Sequence, residues 1–174
     1  DTLNGLERLC HEHVCAREFN GVWGDKGFQG YMRGYDVALS DWRELLNALD
    51  NLREKKRMAI ICLCHTKVST FKNPEASDYD RYAPAVHHKT WELTHRWADH
   101  VLFANYYVEV QKDGLRAKGL GGQQRVLYTT RHAAYDAKNR AGLPEEIEMG
   151  STGADAWGNF MKAMQAAKQQ KGNE

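Results

Sequence analysis

Met58-Ala59-Ile60-Ile61-Cys62-Leu63-Cys64, running straight into His65-Thr66-Lys67, is the stretch on which the fold turns. Seven apolar residues without alternation read as a strand covered on both faces, as in a parallel sheet sandwiched by helices. The run is far short of the roughly 20 residues that cross a bilayer. Just before it, Trp42, Leu45, Leu46, Leu49 and Leu52 form the stripe of an amphipathic helix, with Ser40 placed as its N-cap. That helix ends in the basic turn Arg53–Arg57, which suits the negative end of its dipole. Helix followed by buried strand predicts an α/β layered fold. Ligands of open parallel sheets bind beyond the carboxyl ends of the strands, which nominates His65, Thr66 and Lys67.

Toward the N-terminus, Leu3, Leu6, Leu9, Cys10 and Val14 recur at helical spacing, and the expected helix ends near Ala16. Residues 20–38 mix glycines with Trp23, Phe28, Tyr31 and Tyr35, so a long aromatic loop is expected there. Toward the C-terminus, residues 68–84 show no periodicity, and His87–Asp99 reads as a third helix. Val101–Val110 and Arg125–Thr130 read as an antiparallel hairpin at a sheet edge. A Gly142-Leu143-Pro144 break leads to a last helix with Trp157, Phe160, Met161 and Met164 on its apolar side. One domain over 1–168 with a frayed tail, 169–174, is the expected organisation.

Lys and Arg number 24 against 23 Asp and Glu, a net charge of +1, so bulk charge argues neither for a nucleic-acid-coating protein nor for an acidic tail. Hydrophobic content of 42% supports a packed core rather than disorder. Four cysteines are too sparse for a disulfide scaffold and suit reduced thiols in a cytoplasmic setting. His11-x-His13 and Cys62-x-Cys64-His65 have metal-ligand chemistry but lack the spacing of a zinc site, which leaves a His/Cys metalloprotein as a disfavoured alternative.

Five pieces occur in one order: Asp1-Thr-Leu-Asn-Gly-Leu-Glu7, the apolar run ending in His65-Thr-Lys67, Phe71-Lys-Asn-Pro-Glu75 with Tyr79-Asp-Arg-Tyr82, Trp97-Ala-Asp99, and Tyr135-Asp-Ala-Lys138-Asn-Arg140. Together they resemble the phage-type RecA-like ATP-binding proteins, a branch of the P-loop NTPases that serves recombination and strand annealing. The resemblance spans about residues 1–165. It implies a partial RecA-like core, mainly a parallel sheet flanked by helices, with ATP and Mg2+ as cofactors. It also implies single-stranded DNA as partner, ring or filament assembly of copies, and a bacterial host cytoplasm.

Residue by residue, Asp1 matches the carboxylate that holds Mg2+, and Thr2 the hydroxyl beside it. No Gly-x-x-x-x-Gly-Lys-Ser/Thr loop occurs, so the chain reads as lacking the region that cradles phosphates and as a poor ATPase alone. His65 matches the polar position that senses the terminal phosphate; read from spacing alone, the favoured reading is a histidine satisfying a strand end. Residues 66–85 match the second DNA-binding loop. Lys67, Lys72 and Arg81 can meet phosphates while Phe71, Tyr79 and Tyr82 stack on bases, although Glu75, Asp78 and Asp80 offset the charge. A surface loop without partner is the plain alternative, and a non-catalytic DNA-binding module on the same core is the second function. The glycine and aromatic loop at 20–38, with Lys26 and Arg33, corresponds to the first such loop. Lys138 and Arg140 match a pair that reaches a neighbouring subunit's ATP, and a solvated basic edge accounts for them as well.

Overall fold

The computed structural model describes residues 2–113 and 116–172. The chain groups into two compact units, residues 1–78 with 82–98, and residues 79–81 with 99–174.

Helices dominate the first unit. α1 (Leu3–Glu18) begins where Thr2 Oγ1 accepts the Gly5 N–H at 3.3 Å, a side-chain N-cap. α2 spans Arg33–Lys56 and α3 spans His88–Trp97. α2 starts seven residues before the Ser40 cap that the sequence suggests, because packing rather than capping sets its start. Phe28 is fully buried against Gly34, where an added Cβ would lie 2.3 Å from the ring. Tyr31 and Met32 take left-handed backbone (φ 48° and 61°) to turn the chain into the helix. Ser40 lies inside α2, its hydroxyl donating to Val37 O. The expected aromatic loop is thus shorter and ends in a single 3-10 turn, Gly30–Met32.

Leu3, Trp42, Leu46 and Val86 make the main core of this unit, with Leu45, Leu49, Trp91 and Trp97 around it. Burying such a side chain stabilises by about 1.5–3 kcal/mol. The buried polar atoms inside it are matched. Trp42 Nε1 donates to Thr94 Oγ1 at 3.0 Å, and that hydroxyl donates to Thr90 O at 2.8 Å.

The expected buried parallel strand does not form. Arg57 takes left-handed backbone (φ 52°), residues 58–65 carry no ladder, and Ile61 and Leu63 are 67% and 64% exposed. A strand is a pairing, and among the described residues none lies beside this run. Cys64 alone packs into the core. The stretch after it, expected to be irregular, is a two-stranded ribbon of β1 (Thr66–Phe71) and β2 (Tyr79–Pro84).

The second unit is built on antiparallel pairing. β3 (His100–Val101) pairs with β6 (Lys138–Asn139). β4 (Phe103–Asp113) pairs with β5 (Arg116–Tyr128) from Phe103↔Tyr128 to Asp113↔Arg116, with an irregularity between Tyr106 and Val108. β7 (Glu146–Glu148) lies on the other side of β5 with Leu127 opposite Ile147. The hairpin expected from sequence is present and longer than expected. The mainly parallel sheet is not: every described pairing whose register is defined is antiparallel. The fold is mixed α/β with small separate sheets.

α4 (Gly153–Lys171) closes the second unit, started by a capping box in which Thr152 and Asp155 satisfy each other's backbone N–H. Phe160, Met164 and the buried Ala167 pack with Leu143 and Ile147. Trp157 and Met161, expected on the same face, are instead 52% and 37% exposed.

Candidate nucleic-acid interface and phosphate-facing residues

The ribbon stands on a base that one side chain organises. Asn4, in the first turn of α1, accepts the His65 N–H through Oδ1 at 2.9 Å and donates through Nδ2 to Ala85 O. Ala85 N–H in turn donates to His65 O at 2.8 Å. Entry and exit of the ribbon are therefore tied to each other and to one carboxamide. Three residues after Asn4, Glu7 is buried and both its oxygens accept the His87 N–H, at 2.9 and 3.1 Å. That bond holds the start of α3 against α1. Sequence reasoning missed Asn4 and Glu7; polar residues at i and i+3 beside an apolar stripe were the available signal.

His65 itself is exposed, immediately before β1. Lys67 is exposed on β1, Phe71 half-buried at its end, and Lys72 exposed just beyond. At the turn, Lys72 pairs with Asp78 at 2.5 Å, and Asp78 also accepts the Asn73 N–H at 3.1 Å. On β2, Tyr79 and Arg81 are half-buried and Tyr82 is 38% exposed. The structure thus brings His65, Lys67, Phe71, Lys72, Tyr79, Arg81 and Tyr82 onto one continuous ribbon.

Thr2 is occupied as a helix cap, and Asp1 lies outside the described residues. In the second unit, Lys138 and Arg140 flank Asn139, whose Oδ1 accepts the Ala141 and Gly142 N–H groups at 2.9 and 3.1 Å and whose Nδ2 donates to Leu143 O. Asn139 fixes the turn; Lys138 precedes it in β6, and Arg140 follows in the bend. Burial, then the nearby Arg140 charge, pull the Lys138 ammonium below its ordinary pKa, with Asp99 and Asp136 opposing. Arg140 Nη1 meets Asp99 Oδ1 at 3.1 Å in an exposed pair, worth about 0–1 kcal/mol and easily exchanged for another anion.

Among the described residues no group of three or more His, Cys, Asp or Glu could hold a metal ion, and no helix is long and apolar enough to cross a membrane. The AAA domain family matches residues 1–141, and the chain belongs to that family of nucleotide-binding, ATPase-like domains. No curated protein and no solved structure matches the chain.

Membership brings ATP and Mg2+ into question, and the described residues do not by themselves fit them. The groove beside the first turns of α1 is walled by Leu3, Leu6, Leu9, Ile61 and Leu63 with Arg8 as its one charged lining residue, a surface for apolar groups rather than a triphosphate. No step is assigned through the nucleotide.

Proposed function

We propose that this chain is the DNA-contacting and phosphate-responding part of a RecA-like ATPase of the phage recombination and annealing type. The observation that carries the reading is the continuity of His65 with the ribbon. A shift of His65 moves β1 directly, because Asn4 and Ala85 clamp that junction. Single-stranded DNA is the partner the ribbon chemistry favours. Lys67, Lys72 and Arg81 supply phosphate contacts, and Phe71, Tyr79 and Tyr82 supply rings for bases. Lys138 and Arg140 are offered to phosphate held by a neighbouring copy in a ring or filament, with ATP and Mg2+ as that site's cofactors and Asp1 as the Mg2+ ligand. The acidic Glu75, Asp78 and Asp80 keep the affinity modest.

Fluorescence anisotropy with a labelled oligothymidylate tests this. Three neutralised phosphates predict a slope near −2 in log K against log salt, at about −0.7 per contact on a single strand. Tyr79→Ala/Tyr82→Ala is expected to weaken binding about 30-fold or more, since each of the two stacked bases contributes roughly 1–3 kcal/mol. Affinity unchanged in the double variant across the salt series would remove the ribbon as the DNA site.

A further inference from the structure

α4 lies beyond the residues matched to the AAA domain, 1–141, and packs on its own unit with one face only. That face is Phe160, Ala163, Met164 and Ala167, set against Leu143 and Ile147. A second stripe runs beside it at the same three- and four-residue spacing: Ala154, Trp157, Gly158, Met161 and Gln165. Trp157 is 52% exposed and Met161 37%, and they are neighbours at i and i+4. Ring and thioether therefore form one apolar patch rather than two scattered exposures. Gly158 sits at its edge, and a Cβ added there would meet nothing within 4 Å. An open glycine beside a large ring offers another helix a close crossing point, since the distance between helix axes follows the side chains at the contact. The flank of the stripe carries both signs. Asp155 stands three residues before Gly158 and Lys162 four after it, both exposed.

We propose that this face of α4 is a two-fold contact with α4 of a second copy, the two helices antiparallel and crossing near Gly158. The pattern is complementary to its own reverse. Reversal about Gly158 sets Asp155 beside the second copy's Lys162, and Lys162 beside its Asp155. It also lays Trp157 of each copy over Met161 of the other, the reciprocal contact that an isologous interface requires. Parallel pairing would oppose Asp155 to Asp155 and Lys162 to Lys162 with the helix dipoles aligned, so it is disfavoured. Nucleic acid would meet Lys162 and Lys168, yet Asp155 on the same flank repels its phosphates. One helix pair buries less than the roughly 1,200 Å² of a standard interface, so the dimer is weak, with Kd on the order of 100 µM. This contact differs from the assembly proposed above, which is head-to-tail through Lys138 and Arg140; it is two-fold and needs neither nucleotide nor DNA.

Sedimentation equilibrium of the 174-residue chain, without DNA or nucleotide, tests it from about 5 µM to about 1 mM, a range that brackets a weak interface. A monomer–dimer equilibrium is expected. Trp157→Ala should weaken it about tenfold or more, because a large ring at the centre of a small interface carries much of the affinity. Lys162→Glu should weaken it about fivefold, since two attractive pairs become repulsive. Asp155→Lys/Lys162→Glu exchanges the signs together and should restore it, and Thr152 Oγ1 can still cap the backbone N–H of residue 155. Circular dichroism checks each fold; if Trp157→Ala or the double variant unfolds, Met161→Gln and Lys162→Glu, both at exposed positions, decide. A chain monomeric across the whole range overturns the proposal. So does a dimer that Trp157→Ala and Lys162→Glu leave unchanged, and its loss in Lys138→Ala/Arg140→Ala would assign it to the head-to-tail contact. A folded double variant as weak as Lys162→Glu overturns the antiparallel register. Oligonucleotide binding that Trp157→Ala weakens, in a chain that stays monomeric, would assign the face to DNA.

Discussion

Asn4 and the histidines near it show how few side chains govern this unit. Asn4→Ala removes the bonds to His65 and Ala85 and leaves a half-buried carbonyl and an amide without partners, so a loss of about 1–3 kcal/mol in stability is expected from thermal or urea unfolding. A second prediction concerns pH. His87 stacks on Tyr35 at 4.3 Å, its Nε2 is buried without a hydrogen-bond partner, and His11 meets Tyr35 edge-on at 5.3 Å. Burial lowers the pKa of both rings. At His87 the charges of His88, His11 and Lys89 lower it further, while Glu7 opposes at each. The folded state then binds fewer protons than the unfolded state below the ordinary histidine value of about 6.5, so stability rises with pH there. It is fully present above that value and is lost as pH falls through it. Melting temperatures from pH 8 to pH 5 should fall, and His11→Gln/His87→Gln should flatten the acid limb; a limb that keeps its slope would place the proton uptake elsewhere.

Among the elements, the ribbon separates stability from binding most cleanly. Lys72 and Asp78 form an exposed pair worth no more than about 1 kcal/mol, so Lys72→Ala should leave the melting temperature nearly unchanged. The same variant should flatten the salt dependence of oligonucleotide binding by about 0.7, one phosphate contact. A changed melting temperature with an unchanged slope would make Lys72 a turn residue only. α2 teaches the complementary lesson. Its stripe Trp42, Leu45, Leu46 and Leu49 was legible because helical spacing is a local property, and these residues do form the core. Its start was not, because Phe28 packs on Gly34 from outside the helix and extends it past the Ser40 cap. Leu52, on the expected stripe, is 43% exposed.

Across the whole chain, family membership and local chemistry point to different parts of one activity. The AAA domain match covers residues 1–141, while the sequence contains no Gly-x-x-x-x-Gly-Lys-Ser/Thr loop. Calorimetric titration of the 174-residue chain with Mg-ATP is therefore expected to give at most weak binding, because backbone amides of a glycine-rich loop and its Lys supply most triphosphate contacts. Micromolar affinity would require a phosphate site built without such a loop.

The helices α1, α2, α3 and α4 and the β4–β5 hairpin were legible from sequence, since periodicity and turn residues act over a few positions. Tertiary structure alone decided the fate of Met58–Cys64. The run has the composition of a central parallel strand, but a strand exists only with neighbours, and none of the described segments lies beside it. The partners of Asn4 and Glu7 were likewise beyond sequence, because they lie 61 to 81 positions away and only folding brings those backbone groups to them.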